Sequence, residues 1–332
     1  MSELKRRALG WDGIIVVVTA AVLVAAAASV DNFGTSRNLT FLILDLLPIA
    51  LIALPMTFIV VTGEIDLSVA STLGLTSAVL GTLWNAGWTI ETIIPICVVV
   101  GALLGALNGV LIAGLGLPSL AVTIGTLALY RGLAFVVLGD RAVADFPWNY
   151  TGWVTGTVGA GPVPNVLVLL VPLAVIFGVI LHATPLGRSL FAIGANATAA
   201  HFSGIRVART KFWLYVVSGA VAGLVGVLWT LRYSSARADN GAGLELAVVA
   251  AVLLGGVSIF GGKGTLPGVL AGVVLLASLQ NALRLQDVSG QALNIVTGVL
   301  LVVSVLVPNI LAAARDSWRR RRLRYAAATP PA

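Results

Sequence analysis

Apolar runs of roughly the ~20 residues that a helix needs to cross a bilayer's hydrocarbon core recur along the whole chain. They cover Trp11 to Val30, Thr40 to Thr62, Leu67 to Trp84, Thr92 to Leu115 and Ser119 to Leu138 in the first half. Asn165 to His182, Lys211 to Leu231, Leu244 to Phe260, Leu266 to Leu283 and Gln291 to Pro308 follow in the second. The third, eighth and ninth are short. With 58% of its 332 residues hydrophobic and 10% charged, the chain has too few polar groups to cover a soluble fold. The expected fold class is an all-α polytopic membrane protein with about ten transmembrane helices and both termini cytoplasmic.

The charges support that orientation. It places Lys5, Arg6, Arg7, Arg188, Arg206, Arg209, Lys211, Lys263 and the six arginines between Arg315 and Arg324 inside, fourteen of the twenty basic residues. Arg37, Arg131, Arg141, Arg232, Arg237 and Arg284 fall outside or at outer helix ends, which is the asymmetry of the positive-inside rule. The net charge of +7 therefore does not mark a nucleic-acid protein, since no basic face is long enough to track a phosphate backbone. The chain divides into a basic N-terminus (1–10), a single transmembrane domain (11–310) and a basic C-terminal tail (311–332). The first run is too long for the core of an ordinary signal peptide and reads as an uncleaved helix.

Two loops exceed simple turns. The outer one, 139–164, is rich in Gly, Pro and Trp, with Trp148, Tyr150 and Trp153 suited to the membrane interface. The inner one, 184–210, has an Ala-rich middle that predicts one short helix closed by Gly204.

No catalytic site and no metal site is expected. His182 and His201 are the only histidines, Cys97 is the only cysteine, and no carboxylate cluster lies near them in sequence. The stretch Gly256 to Lys263 has glycines and a lysine, but Gly264 follows the lysine, so no hydroxyl is placed for a nucleotide's magnesium.

Polar residues inside apolar runs are the remaining clue, because a charge at the centre of a bilayer costs about 2.5 to 3.5 kcal/mol even on insertion scales. The nine residues Gly63-Glu64-Ile65-Asp66-Leu67-Ser68-Val69-Ala70-Ser71 put two acids and two hydroxyls between runs two and three. Asp66, Ser68, Ser71, Asn108, Thr123 and Asn281 are the candidate residues of a translocation path or gate, with Asp45, Thr126, Gln280 and Asn294 as further intramembrane polar groups. Amides and hydroxyls suit a small neutral polyol, and each can equally serve as glue between helices. The spacings Gly101-Gly105-Gly109 and Gly219-Gly223-Gly226 fit close helix packing.

Three strings resemble the permease subunits of bacterial ABC importers for ribose, xylose, rhamnose, galactose and the signal autoinducer-2. They are Gly63 to Ser71, with Ala70 where that family usually has glycine; Pro118 to Thr126 leading to Tyr130-Arg131-Gly132; and Glu245 through Leu254 to Thr265. The likeness spans about Leu39 to Val307. It implies import of a monosaccharide or related polyol by alternating access across the bacterial inner membrane, with rhamnose-like or autoinducer-2-like cargo favoured and ribose or xylose open. It implies that 184–210 docks onto ATPase subunits through Gly194, Asn196, Ala199, Ser203, Gly204, Ile205 and Arg206, with Ala197 standing where the family often has Glu. The partners implied are ATP-binding subunits, a periplasmic sugar-binding protein and a second permease subunit, identical or not. This chain would carry no cofactor, ATP and magnesium being held by the ATPase subunits. Asp66 then reads as a structural cap or gate ahead of a direct solute ligand. The rival classes are an ion-coupled secondary transporter, which needs Asp45 or Asp66 as coupling carboxylate, and an intramembrane enzyme.

Overall fold

The computed structural model describes residues 11–159 and 161–306, so the basic segments 1–10 and 311–332 lie outside the described residues. Regular structure within them is helical, apart from two isolated bridge pairs, Val143 with Ala236 and Thr157 with Pro164. In chain order the helices are α1 (Trp11–Ser29), α2 (Ser36–Val61), α3 (Val69–Asn85) and α4 (Ile90–Gly109), which continues as a π turn over Val110–Gly114. Next come α5 (Ser119–Leu138), α6 (Trp148–Thr155), α7 (Leu167–Ala183), α8 (Pro185–Ala195), α9 (Ala197–Phe202) and α10 (Val207–Tyr233). The last are α11 (Leu244–Leu254), α12 (Leu266–Leu285) and α13 (Gly290–Leu306).

Each of the ten apolar runs contains a helix, but the lengths differ. Among the described residues, five helices are long and apolar enough to cross a membrane: α2, α4 with its π turn, α5, α10 and α12. They become six if α7 and α8, bent by 67° at their junction, form one span. The run from Leu244 to Phe260 is not one helix. It stops at Leu254, and Gly256, Gly261 and Gly262 then take positive φ, a left-handed backbone that reverses the chain before Thr265 caps α12. The run from Leu67 becomes helical only at Val69, because residues 64–67 are non-helical. In the inner loop, Gly204, at φ 87°, ends α9 as the sequence predicts, and Asn196, accepting from the Ala199 N–H, starts it. The preceding helix α8 was not foreseen; Thr184 caps it by accepting from the Gly187 N–H, and Pro185 opens its first turn.

Helix α2 is the buried axis. It begins where Thr35 accepts from the Asn38 N–H, and 26 residues carry it about 39 Å to Val61. Helices α7, α8, α10, α11 and α12 all pack on it. Helix α10 also packs along α4, and here the glycine spacing acts. A Cβ at Gly219 would lie 2.1 Å from the Gly101 carbonyl oxygen, and one at Gly105 would lie 2.1 Å from that of Tyr215. The backbones touch because these residues have no side chains. A Gly219→Val variant is therefore expected to separate the two helices, overpacking by at least about 1 to 3 kcal/mol. Gly132→Val, at a site with open space, is the control. Detergent-extracted protein run on size exclusion should show loss of the monodisperse peak for the first and not the second.

The bundle has two distinct ends. At one, Val61, Gly63, Gly194 and Gly261 to Gly262 meet. At the other, Asn38 faces Asn281, Thr40 donates to the Pro162 carbonyl, and Val143 pairs with Ala236. The loops 184–210 and 139–164 thus lie at opposite ends of the bundle.

Candidate functional site

Asp66 sits in the non-helical segment between α2 and α3 and is 1% exposed. A carboxylate only accepts hydrogen bonds, so away from water it needs donors. Ser68 supplies two to Oδ1, from its backbone N–H at 3.0 Å and its hydroxyl at 2.6 Å, and the Ser218 hydroxyl of α10 donates to Oδ2 at 3.1 Å. Ser68 Oγ in turn accepts from Asn108 Nδ2 of α4 at 2.8 Å. Tyr130 of α5 donates to Asn108 Oδ1 at 3.3 Å and to the Leu104 carbonyl at 2.8 Å. Ser71 donates to the Ser68 carbonyl, which ties the first turn of α3 to the same group.

Ile65 is anchored beside it. Its N–H donates to Ser119 Oγ, and its carbonyl accepts from Thr123 and Tyr215. Glu64 pairs with Lys211 near the start of α10. One non-helical segment therefore touches α3, α4, α5 and α10. Ser218 lies eleven residues into α10, about 16 Å from its loop end, so the network lies deep within the bundle. Asn108 precedes the π turn of α4, where the i to i+5 bond from the Leu115 N–H to the Val110 carbonyl widens the helix.

Asp66, Ser68, Ser71, Asn108 and Thr123 are thus brought together, and Asn281 is not. It exchanges two amide hydrogen bonds, 2.9 and 3.1 Å, with Asn38 at the far end of α2. There it borders a cavity of about 630 Å³ that also holds Asp45, paired with both Arg232 and Arg284. Arg131 is likewise occupied, donating to the carbonyls of Ala238, Asn240 and Ala70. Gln280 bonds Thr297 of α13, and Asn294 is exposed. Sequence reasoning missed Ser218, Tyr130 and Asn38. A serine within a Gly-rich helix and a tyrosine next to an arginine give no signal of their own until packing supplies a partner.

The loop candidates divide in the same way. Gly194, near the end of α8, is wedged between two other segments: a Cβ there would lie 1.9 Å from the Val61 carbonyl oxygen and 2.3 Å from the Gly262 N. Gly262 N–H donates to that same Val61 carbonyl at 2.9 Å, and Gly261 lies against Gly63. Asn196, Ala199, Ser203 and Gly204 form or close α9 and are exposed, Ile205 is half-buried, and Arg206 is exposed. Three segments far apart in sequence, residues 61–63, Gly194 and residues 261–262, thus share one backbone crossing, with α9 projecting beside it. Among the described residues no group of His, Cys, Asp and Glu is arranged to hold a metal ion.

Comparison with known proteins gives one consistent result. Residues 38–305 match the family described as branched-chain amino acid transport system / permease component. The autoinducer 2 import system permease protein LsrD of Yersinia enterocolitica is 34% identical over 95% of this chain and 97% of its own length. The protein of the same name from Yersinia pseudotuberculosis is 33% identical, covering 97% and 99%. No solved structure matches the chain.

Proposed function

The chain belongs to the branched-chain amino acid transport system / permease component family, and from that membership we propose that it is the membrane permease of an ATP-driven importer for a small polyhydroxylated solute, autoinducer-2-like ahead of ribose or xylose. The relatives named for autoinducer 2 import favour that cargo, and their match runs the length of both chains. Ten crossings with both termini inside are part of this reading: α3 and α11 are short because non-helical chain completes their passage. ATP and magnesium would be held by separate subunits, since no phosphate loop stands in this sequence. A periplasmic binding protein would deliver solute to the end bearing 139–164, and a second permease subunit would complete the path.

The observation that carries the mechanism is the glycine crossing. Loop 184–210, moved by an ATPase at α9, bears directly on residues 61–63 and 261–262, and residue 63 leads in three steps to Asp66 in the middle of the bundle. A shift of α9 has a rigid route to the segment that joins α3, α4, α5 and α10. For ATP to bias the path, its subunits must hold this loop differently in the two states. An ion-coupled transporter is less well supported, because Asp45 is held by two arginines and Asp66 by three donors.

Scrambling 184–210 is expected to abolish co-purification with the ATP-binding subunit while membrane insertion persists. Intact complex formation and uptake would reject the coupling role. Uptake of labelled autoinducer 2, ribose and leucine by cells expressing the complete importer decides the cargo, and leucine as the preferred substrate would overturn the polyol assignment.

A further inference from the structure

We propose that the cleft between α7, α8 and α10 is a binding site for one anionic phospholipid, its phosphate held by Arg206 and Arg209 and one acyl chain lying along the apolar wall beyond them. The cleft encloses about 480 Å³. Helices α7 and α10 both pack on α2, and the space between them is floored by Pro55 and Phe58 of α2. Phe177 and Ile180 of α7 form one wall, the Phe177 ring lying 5.0 Å from that of Phe58, and Leu186 of α8 closes the end.

The opposite wall is one face of α10. Arg209, Trp213 and Val217 follow at steps of four, so they stack along a strip about 12 Å long, and Arg206, the N-cap residue of α10, lines the same cleft at its charged end. The cations stand at one end and the apolar residues at the other, with the half-exposed Trp213 indole at the junction, the place tryptophan takes at the headgroup level.

Charge selects the occupant. No Asp or Glu lines the cleft, and both arginines are exposed and enter none of the ion pairs among the described residues. The nearby Lys211 is satisfied by Glu64, but these two guanidinium groups have no carboxylate partner among the described residues. A phosphodiester bearing a chain of methylenes matches the two ends in order, and a guanidinium fork is suited to phosphate oxygens. Because Arg206 follows α9 by four residues, the bound phosphate would fix the root of the projecting helix relative to α7. The inference rests on the permease reading only for which leaflet supplies the lipid.

The full-length protein in dodecyl maltoside is given mixed micelles of phosphatidylglycerol and phosphatidylethanolamine, and retained lipid is counted by native mass spectrometry. Each arginine at a membrane surface is worth about fivefold, so R206Q/R209Q is expected to lose about 25-fold of a phosphatidylglycerol preference that the unaltered protein shows. V217W, which fills the apolar wall, should lower retention of that lipid with both arginines present, and R188Q, which removes another exposed arginine of the same loop, should leave it unchanged. Equal retention of the two lipids by the unaltered protein, an undiminished preference in R206Q/R209Q, or an equal loss in R188Q overturns the site. Displacement of the lipid by millimolar inorganic phosphate also overturns it, by showing a free-anion site. Lipid counts are read without ATPase subunits, so failure here leaves the co-purification result standing, and failure of co-purification leaves these counts unchanged.

Discussion

Replacing Asp66 with alanine is expected to destabilise the protein by on the order of 3 kcal/mol or more, because the Ser68 N–H and the Ser68 and Ser218 hydroxyls would lose a buried acceptor together. The Asp66 carboxylate ties the start of α3 directly to α10, and through Ser68 reaches Asn108 of α4. Asp66→Asn should behave differently. Its amide oxygen can keep the two Ser68 donors while its NH2 group donates to Ser218, whose own proton can turn to a carbonyl of α10. Thermal unfolding followed by size exclusion should therefore separate the two, with the asparagine variant near the parent and the alanine variant far below it. An alanine variant as stable as the parent would show that the network contributes nothing to the fold. Uptake by the asparagine variant then tells cap from gate: retained transport means that Asp66 only caps the segment, and lost transport with intact assembly means that its charge takes part in the cycle.

Gly194→Ala should have the second large effect, of another kind. The added Cβ would have to displace either the Val61 carbonyl or the Gly262 amide, both backbone groups that cannot rotate away. The α8 to α9 corner would move off the crossing, and uptake is expected to fall at least about tenfold, the equivalent of ~1.4 kcal/mol, with membrane levels close to the parent's. Gly204→Ala is the comparison. It has open space around it and only a left-handed φ of 87° to strain, which costs about 1 kcal/mol and leaves the crossing in place. Should the two variants transport equally well, the crossing would not be the route by which α9 acts on the core.

Much of this arrangement is written locally. Hydropathy placed a helix in each of ten runs, the Asn196 side chain and Gly204 bounded α9, and the four-residue glycine spacing announced the α4 and α10 contact. Each of these depends on neighbours within a turn or two, so residue order alone carries the signal. The third and eighth runs are short in the sequence too, but the end of α11 was less legible, because apolar composition continues past Leu254 while the left-handed glycines end the helix.

What only the tertiary structure decided is pairing across long separations. Asn281 reads like Asn108 in sequence, yet it finds Asn38, 243 positions away, while Asn108 finds Ser68. Asp45 and Asp66 read alike as intramembrane acids, and one meets two arginines where the other meets hydroxyls. Sequence determines that such groups must be satisfied, because hydrocarbon offers them no water. Which group satisfies which depends on the order in which helices pack around α2, and that order is set by shape and glycine contacts spread over the whole chain.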